Sequence, residues 1–172
     1  MYERNSTPEK KPPKQSPQSY AVWLLSRRDY SAKELHTKLV TRGYSVEQAD
    51  SAMAKLQSYG LQNDERYAGS AARSNSRRMG NRQIVAKLTD KGLDKELVAS
   101  QVDTLAPEVD RALELAQRFV GKELDDKMKA KVWRFFASRG FSGNSVDKAM
   151  RYLKEQAKLA KERAEELALV DE

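Results

Sequence analysis

Three glycines, Gly43, Gly92 and Gly140, stand 49 and 48 residues apart, and each sits between a cation and a bulky apolar residue: Arg42-Gly43-Tyr44, Lys91-Gly92-Leu93 and Arg139-Gly140-Phe141. The match extends to both sides. Upstream run Leu35 to Val40, Ile84 to Leu88 and Val132 to Phe136, with apolar residues at steps of three and four. Downstream, the sixth position holds Ala49, Val98 and Val146, the tenth Met53, Val102 and Met150, and the thirteenth Leu56, Leu105 and Leu153. Steps of four and three place these positions on one helical face. A unit of this length buries little surface alone, so a chain of three such units must stack them. The expected fold is all-α: three tandem three-helix repeats forming an elongated, curved body. No sustained alternation of β-branched and polar residues argues for strands.

The repeat sets the boundaries. Helices are predicted over about 19–29, 32–42 and 46–59, over 64–78, 81–91 and 95–105, and over 107–121, 127–139 and from 144 onward. Ser31 to Glu34 and Ser45 to Gln48 read as capping boxes, and Pro107 suits a first helical position. The cation before each glycine complements the dipole of the helix it ends, and the glycine supplies a left-handed cap. The repeats then occupy 18–60, 61–105 and 106–153. Residues 1–17 carry four of the five prolines among Lys, Ser and Gln, and read as a disordered arm. Residues 154–172 read as a charged extension of the last helix, with Lys158–Glu162 and Lys161–Glu165 at i, i+4.

Composition narrows the chemistry. There is no cysteine and one histidine, which excludes disulfides, thiol nucleophiles, Cys-based zinc sites and multi-His metal sites, although an all-carboxylate site stays open. His36 lies off the apolar stripe and is expected to face solvent with no catalytic partner. Asp125 and Asp126 read as a loop or first turn rather than an acid/base pair. No glycine-rich phosphate loop is present, so no catalytic residue, metal or cofactor is expected. The longest apolar run, Ala21 to Leu25, is far short of a membrane span, and the first residues lack a secretory h-region. A soluble, cytoplasmic monomer is the expectation.

The charge is informative. Lys plus Arg exceeds Asp plus Glu by 7 and the mean hydropathy is −0.81, which favours an acidic partner. Cations concentrate in the second repeat: between Arg66 and Lys91, the seven cations Arg66, Arg73, Arg77, Arg78, Arg82, Lys87 and Lys91 stand against the single acid Asp90. Arg66, Arg73 and Arg77 step by seven and four, so one helix is expected to present them together. Lys127, Lys129, Lys131 and Arg134 in the third repeat and Arg27 and Arg28 in the first extend the set. Guanidinium groups suit phosphate and carboxylate alike. The aromatics Trp23, Tyr44, Trp133, Phe135, Phe136, Phe141 and Tyr152 fall mostly on the apolar stripes, where core packing is expected rather than base stacking.

Read together, these segments resemble the RecX family. The resemblance covers residues 20 to about 153 and rests on Leu24 to Leu35 with Arg42-Gly43-Tyr44, on Gly60 to Ala68 followed by Arg73, Arg77 and Gly80 to Lys91-Gly92, and on Arg139-Gly140-Phe141. It implies tandem three-helix repeats and a non-enzymatic modulator lying in the groove of the RecA–ssDNA filament. Such a protein suppresses ATPase, strand exchange and co-protease activity, and so tunes recombinational repair and the SOS response. The thirteen cations named above are then the expected surface for RecA and for DNA phosphates, single-stranded first and double-stranded second. Two rivals are a sequence-independent DNA-binding protein built on helix–turn–helix joints without a protein target, and a plain helical scaffold.

Overall fold

In the computed structural model the described residues are 14–170, with the side chain of Val170 left aside. Among them are nine α-helices and no strand: α1 (Pro17–Leu25), α2 (Ala32–Arg42), α3 (Val46–Ser58), α4 (Asp64–Ser76), α5 (Asn81–Asp90), α6 (Lys95–Asp103), α7 (Glu108–Ala116), α8 (Asp126–Ala137) and α9 (Gly143–Val170). A 3₁₀ turn, Gln117–Phe119, continues α7. The expected arm lies outside the described residues as far as residue 13. Its last residue, Pro17, opens α1 behind an N-cap at Ser16, whose hydroxyl accepts from Ser19 N–H.

Local chemistry explains the helix ends. Gly43, Gly92 and Gly140 have φ of 110°, 82° and 75°, the left-handed conformation that ends α2, α5 and α8. Ser45 and Gln48 complete a capping box at α3. At α2 the box is altered: Ser31 Oγ accepts from Glu34 N–H but donates to Lys91 O at 2.7 Å. Five helices, α1, α4, α6, α7 and α8, stop two or more residues short of the predicted ends. In α1 Ser26 closes the helix at residue 25, its hydroxyl bonded to Trp23 O, and the chain turns so that Tyr30 is buried. α4 ends at Ser76, α6 at Asp103, and α7 tightens into 3₁₀ at Gln117. Pro107 is the N-cap residue of α7, with extended backbone, rather than its first helical residue.

The described residues form two compact units: 14–68 with Lys91–Leu93, and Gly69–Asp90 with 94–170. The first is held by α1, α2 and α3, whose core is Ala21, Leu24, Tyr30, Leu35, Leu39, Tyr44, Ala49, Ala52, Met53 and Leu56. In the second, α7, α8 and α9 enclose Ala112, Ala116, Phe119, Val132, Phe136, Phe141, Val146, Ala149 and Leu153. Phe119, Phe135, Phe136 and Phe141 chain edge to face with centroids 5.1–5.2 Å apart. The repeat positions behave alike, with Ala49, Val98 and Val146 each at most 1 % exposed. Burying one such aliphatic side chain contributes about 1.5–3 kcal/mol, before ordering costs.

Two carboxylates serve equivalent places. Asp64, first residue of α4, accepts from Ala32 N–H at the start of α2 at 2.8 Å. Glu108, first residue of α7, accepts from Asn81 N–H at the start of α5 at 2.7 Å. Each satisfies an open helix donor that a local side chain usually serves.

Candidate functional site

The first unit carries Arg27, Arg28, Arg66 and Lys91 of the expected cations. Arg27 lies 4.3 Å over the Trp23 ring, and Arg28 4.2 Å over Tyr30. Both are exposed and without a carboxylate partner among the described residues. Arg66 is committed to its own turn. It donates to Gly60 O at 3.0 Å and Leu61 O at 2.8 Å, and pairs with Asp29 at 3.6 Å. Lys91 is committed too, with Nζ 2.5 Å from Glu34 Oε1. Tyr67 donates to the other Glu34 oxygen at 3.0 Å. Burial pushes the Glu34 carboxyl up, but the bonds from Lys91 and Tyr67 outweigh it and hold it below the usual range. Burial, with Glu34 as the second cause, pushes the Tyr67 phenol up to about 12.

The second unit carries Arg73, Arg77, Arg78, Arg82, Lys87, Lys127, Lys129, Lys131 and Arg134. Arg73 is exposed on α4, its guanidinium within reach of the turn at Gly69, where a Cβ would fall 3.2 Å from Nη1. Arg77 and Arg78 lie just past the end of α4, exposed in the turn before α5. The expected row of Arg66, Arg73 and Arg77 on one helix therefore does not form: α4 ends a residue too early for Arg77, and Arg66 folds back on its turn. Arg82 reaches Ala137 O at 3.5 Å, and Lys87 Nζ bonds Asn75 Oδ1 at 3.0 Å. On α8, Lys127, Lys131 and Arg134 step by four and three and are exposed together, whereas Lys129 pairs with Asp126 at 2.9 Å.

Several side chains depart from expectation. Trp23 and Trp133 are 45 % and 48 % exposed, not core, because the apolar stripe of each helix passes beside them. Tyr44, Phe136 and Phe141 are buried, and Phe135 and Tyr152 half-buried. His36 does have a partner: Nε2 lies 3.0 Å from Asp50 Oδ1. Asp125 caps α8, accepting from Met128 N–H at 2.6 Å, and Asp126 sits in its first turn.

Sequence reasoning also missed a buried cation. Arg111 on α7 is 6 % exposed. It donates to Ala106 O at 3.0 Å, Ser76 O at 3.2 Å and Met79 O at 2.7 Å, and bonds Asn81 Oδ1. Burial draws its pKa down against an opposing pull from Glu108, yet a guanidinium keeps its proton. The signal was available: an arginine directly before Ala112, on the face that Leu115 and Ala116 also occupy.

Fold and site together define a tandem three-helix repeat protein with a cationic exterior. Among the described residues no helix is long and apolar enough to cross a membrane. The models of the first, second and third three-helix domains of RecX match residues 19–56, 63–100 and 107–150 in that order. The chain belongs to the RecX family. Relatives named Regulatory protein RecX include that of Chromohalobacter salexigens, 39 % identical over 80 % of this chain and 92 % of its own length. That of Stenotrophomonas maltophilia is 35 % identical over 83 % and 90 %. The crystal structure of RecX from Lactobacillus salivarius shares the fold with TM-score 0.69 at 21 % identity, covering 80 % of this chain and 94 % of that one.

Proposed function

We propose that this chain is a regulatory protein that binds RecA–ssDNA filaments and inhibits RecA's ATPase, strand exchange and co-protease activity, tuning recombinational repair and the SOS response. The observation that carries the reading is the match of all three repeats, in order, to the RecX domains. The exterior supplies a physical means. Arg27, Arg28, Arg73, Arg77, Arg78, Arg82, Lys87, Lys127, Lys131 and Arg134 have no carboxylate within ion-pair distance among the described residues. Such groups meet acidic protein surface and exposed phosphate. Contacts made to several RecA subunits in one state oppose the motions that ATP turnover requires, and that differential affinity is what inhibition needs.

Charge reversal tests it. The variant Arg73→Glu, Arg77→Glu, Arg78→Glu is expected to keep its helical circular dichroism and to lose co-sedimentation with assembled RecA filaments. Retained co-sedimentation would assign binding to other residues, as a scaffold requires. A second reading, a DNA-binding protein with no protein target, is favoured by exposed Trp133 beside Arg134, a base-stacking platform with a neighbouring cation. It predicts equal affinity for bare ssDNA and for the filament.

A further inference from the structure

Two turns of this chain are built on equivalent positions and differ in one charge. In the first unit Lys91, which precedes Gly92, presents its carbonyl to Ser31 and its ammonium to Glu34, three residues further on. In the second unit Arg139, which precedes Gly140, presents its carbonyl to Gly80 N–H at 2.8 Å. The residue three beyond Gly80 is Gln83. The contact is close: a Cβ on Gly140 would fall 2.7 Å from Gln83 Cβ. Where the first turn pairs a carboxylate with its cation, the second has an uncharged amide at the matching position.

Arg139 finds no substitute. Its Nη1 bonds Phe135 O at 3.0 Å and Ser138 Oγ at 3.5 Å, and its guanidinium lies 3.8 Å over the Phe135 ring. The nearby carboxylate, Glu108, is occupied by Asn81 N–H, Ser142 and Ser145. Among the described residues no carboxylate pairs with Arg78, Arg82 or Arg139. Arg78, Met79, Gln83, Ser138 and Arg139 line one cleft of about 420 Å³. Its lining residues bring two guanidinium groups and an amide with no counter-charge, while the Ser138 hydroxyl donates to Phe135 O at 3.1 Å. Stacking on Phe135 fixes the plane of Arg139, so little side-chain freedom is lost when it binds an anion.

We propose that this cleft holds a phosphate of a single-stranded DNA backbone, bound by Arg78 and Arg139 and oriented by the Gln83 amide. A phosphodiester suits it better than an isolated anion because Arg77 and Arg82, beside Arg78 and Gln83 in sequence, stand ready for the neighbouring charges of a strand. The assignment deepens the reading above and rests on its claim that the cationic exterior meets nucleic acid.

Gln83→Glu tests it by rebuilding the Glu34–Lys91 pair in the second turn. The probe is a labelled oligo(dT), with affinity followed by anisotropy across salt concentrations. Each phosphate contact on a single strand contributes about 0.7 to the slope of log K against log salt. Q83E is expected to lower the slope by about that amount and to weaken binding several-fold at low salt. The charge-matched Gln117→Glu, on the exposed 3₁₀ turn, should leave the slope alone. Exposed Arg78→Gln, whose side chain holds no structural bond, gives the same slope loss without a new charge. Unchanged slopes in both Q83E and R78Q overturn the cleft but leave the proposed function standing; salt-independent binding by the unmodified protein overturns both. In a parallel arm, inorganic phosphate and oligo(dT) are titrated against the labelled Arg139 Nε–H resonance. A shift with oligo(dT) is expected, and a shift with inorganic phosphate alone would overturn the assignment to a DNA strand.

Discussion

Glu108 shows how much one side chain can hold. Its two oxygens accept from Asn81 N–H, Ser142 N–H, Ser142 Oγ and Ser145 Oγ. Burial pushes its carboxyl up, and these bonds bring it below the usual range. Glu108→Ala strands the Asn81 N–H and the buried Ser145 hydroxyl, and a buried donor left without a partner costs about 1–3 kcal/mol. The expected loss by urea denaturation is therefore at least about 2 kcal/mol, and a loss near zero would show that water replaces the carboxylate without penalty. Glu34 and Tyr67 make a pH-dependent pair. A carboxyl held below its usual pKa stabilises the fold above its unfolded value of about 4.5, and that gain is lost as pH falls through the folded value. A phenol raised to about 12 stabilises below its unfolded value of 10.0, and the gain is lost as pH rises through 12. Glu34→Gln is expected to flatten the acid limb of a stability–pH curve and to shift the phenolate absorbance transition of Tyr67 downward; an unmoved Tyr67 transition would separate the two groups. Neither network was legible in the sequence, because its members lie about thirty to sixty positions apart.

At the scale of elements, the sequence was far more readable. Helix identity, the glycine ends of α2, α5 and α8 and the shared core positions all come from local periodicity, and periodicity repeated three times is hard to misread. Helix ends proved less readable. Ser26, Ser76 and Gln117 stop their helices through turns whose advantage is tertiary, in the burial of Tyr30 and in the grip of Arg111 on Ser76 O and Met79 O. The tryptophans were misplaced because a stripe of about 100° leaves its flanking positions ambiguous. Two glycines of the second unit allow a direct comparison. Gly121 has φ of +78° with nothing within 4 Å of a Cβ, so Gly121→Ala should cost about 1–2 kcal/mol from conformation alone. Gly80→Ala would press a methyl to 2.3 Å from Gly140 O, backbone that cannot swing aside. Its expected cost is clearly larger, about 3 kcal/mol or more, and equal melting temperatures for G80A and G121A would show that the turn yields.

For the whole molecule, the cation count was legible and the division of labour was not. Arg66, Lys91, Lys129 and Arg111 are spent on the protein's own bonds, whereas Arg73, Arg77, Arg78 and the exposed α8 cations are free to meet a partner. Residue type cannot separate the two groups; only the position of a carboxylate or carbonyl in three dimensions does. Binding through the free set should weaken steeply with salt, by roughly a thousandfold between 50 and 200 mM for about six phosphate contacts. The most direct test is inhibition of the ssDNA-dependent ATPase of RecA, titrated with this protein far below the amount needed to cover the DNA. The account predicts inhibition in that range by the unmodified chain and its loss in the Arg73→Glu, Arg77→Glu, Arg78→Glu variant. Inhibition that begins only when the DNA is covered, or that survives the triple reversal, would contradict it.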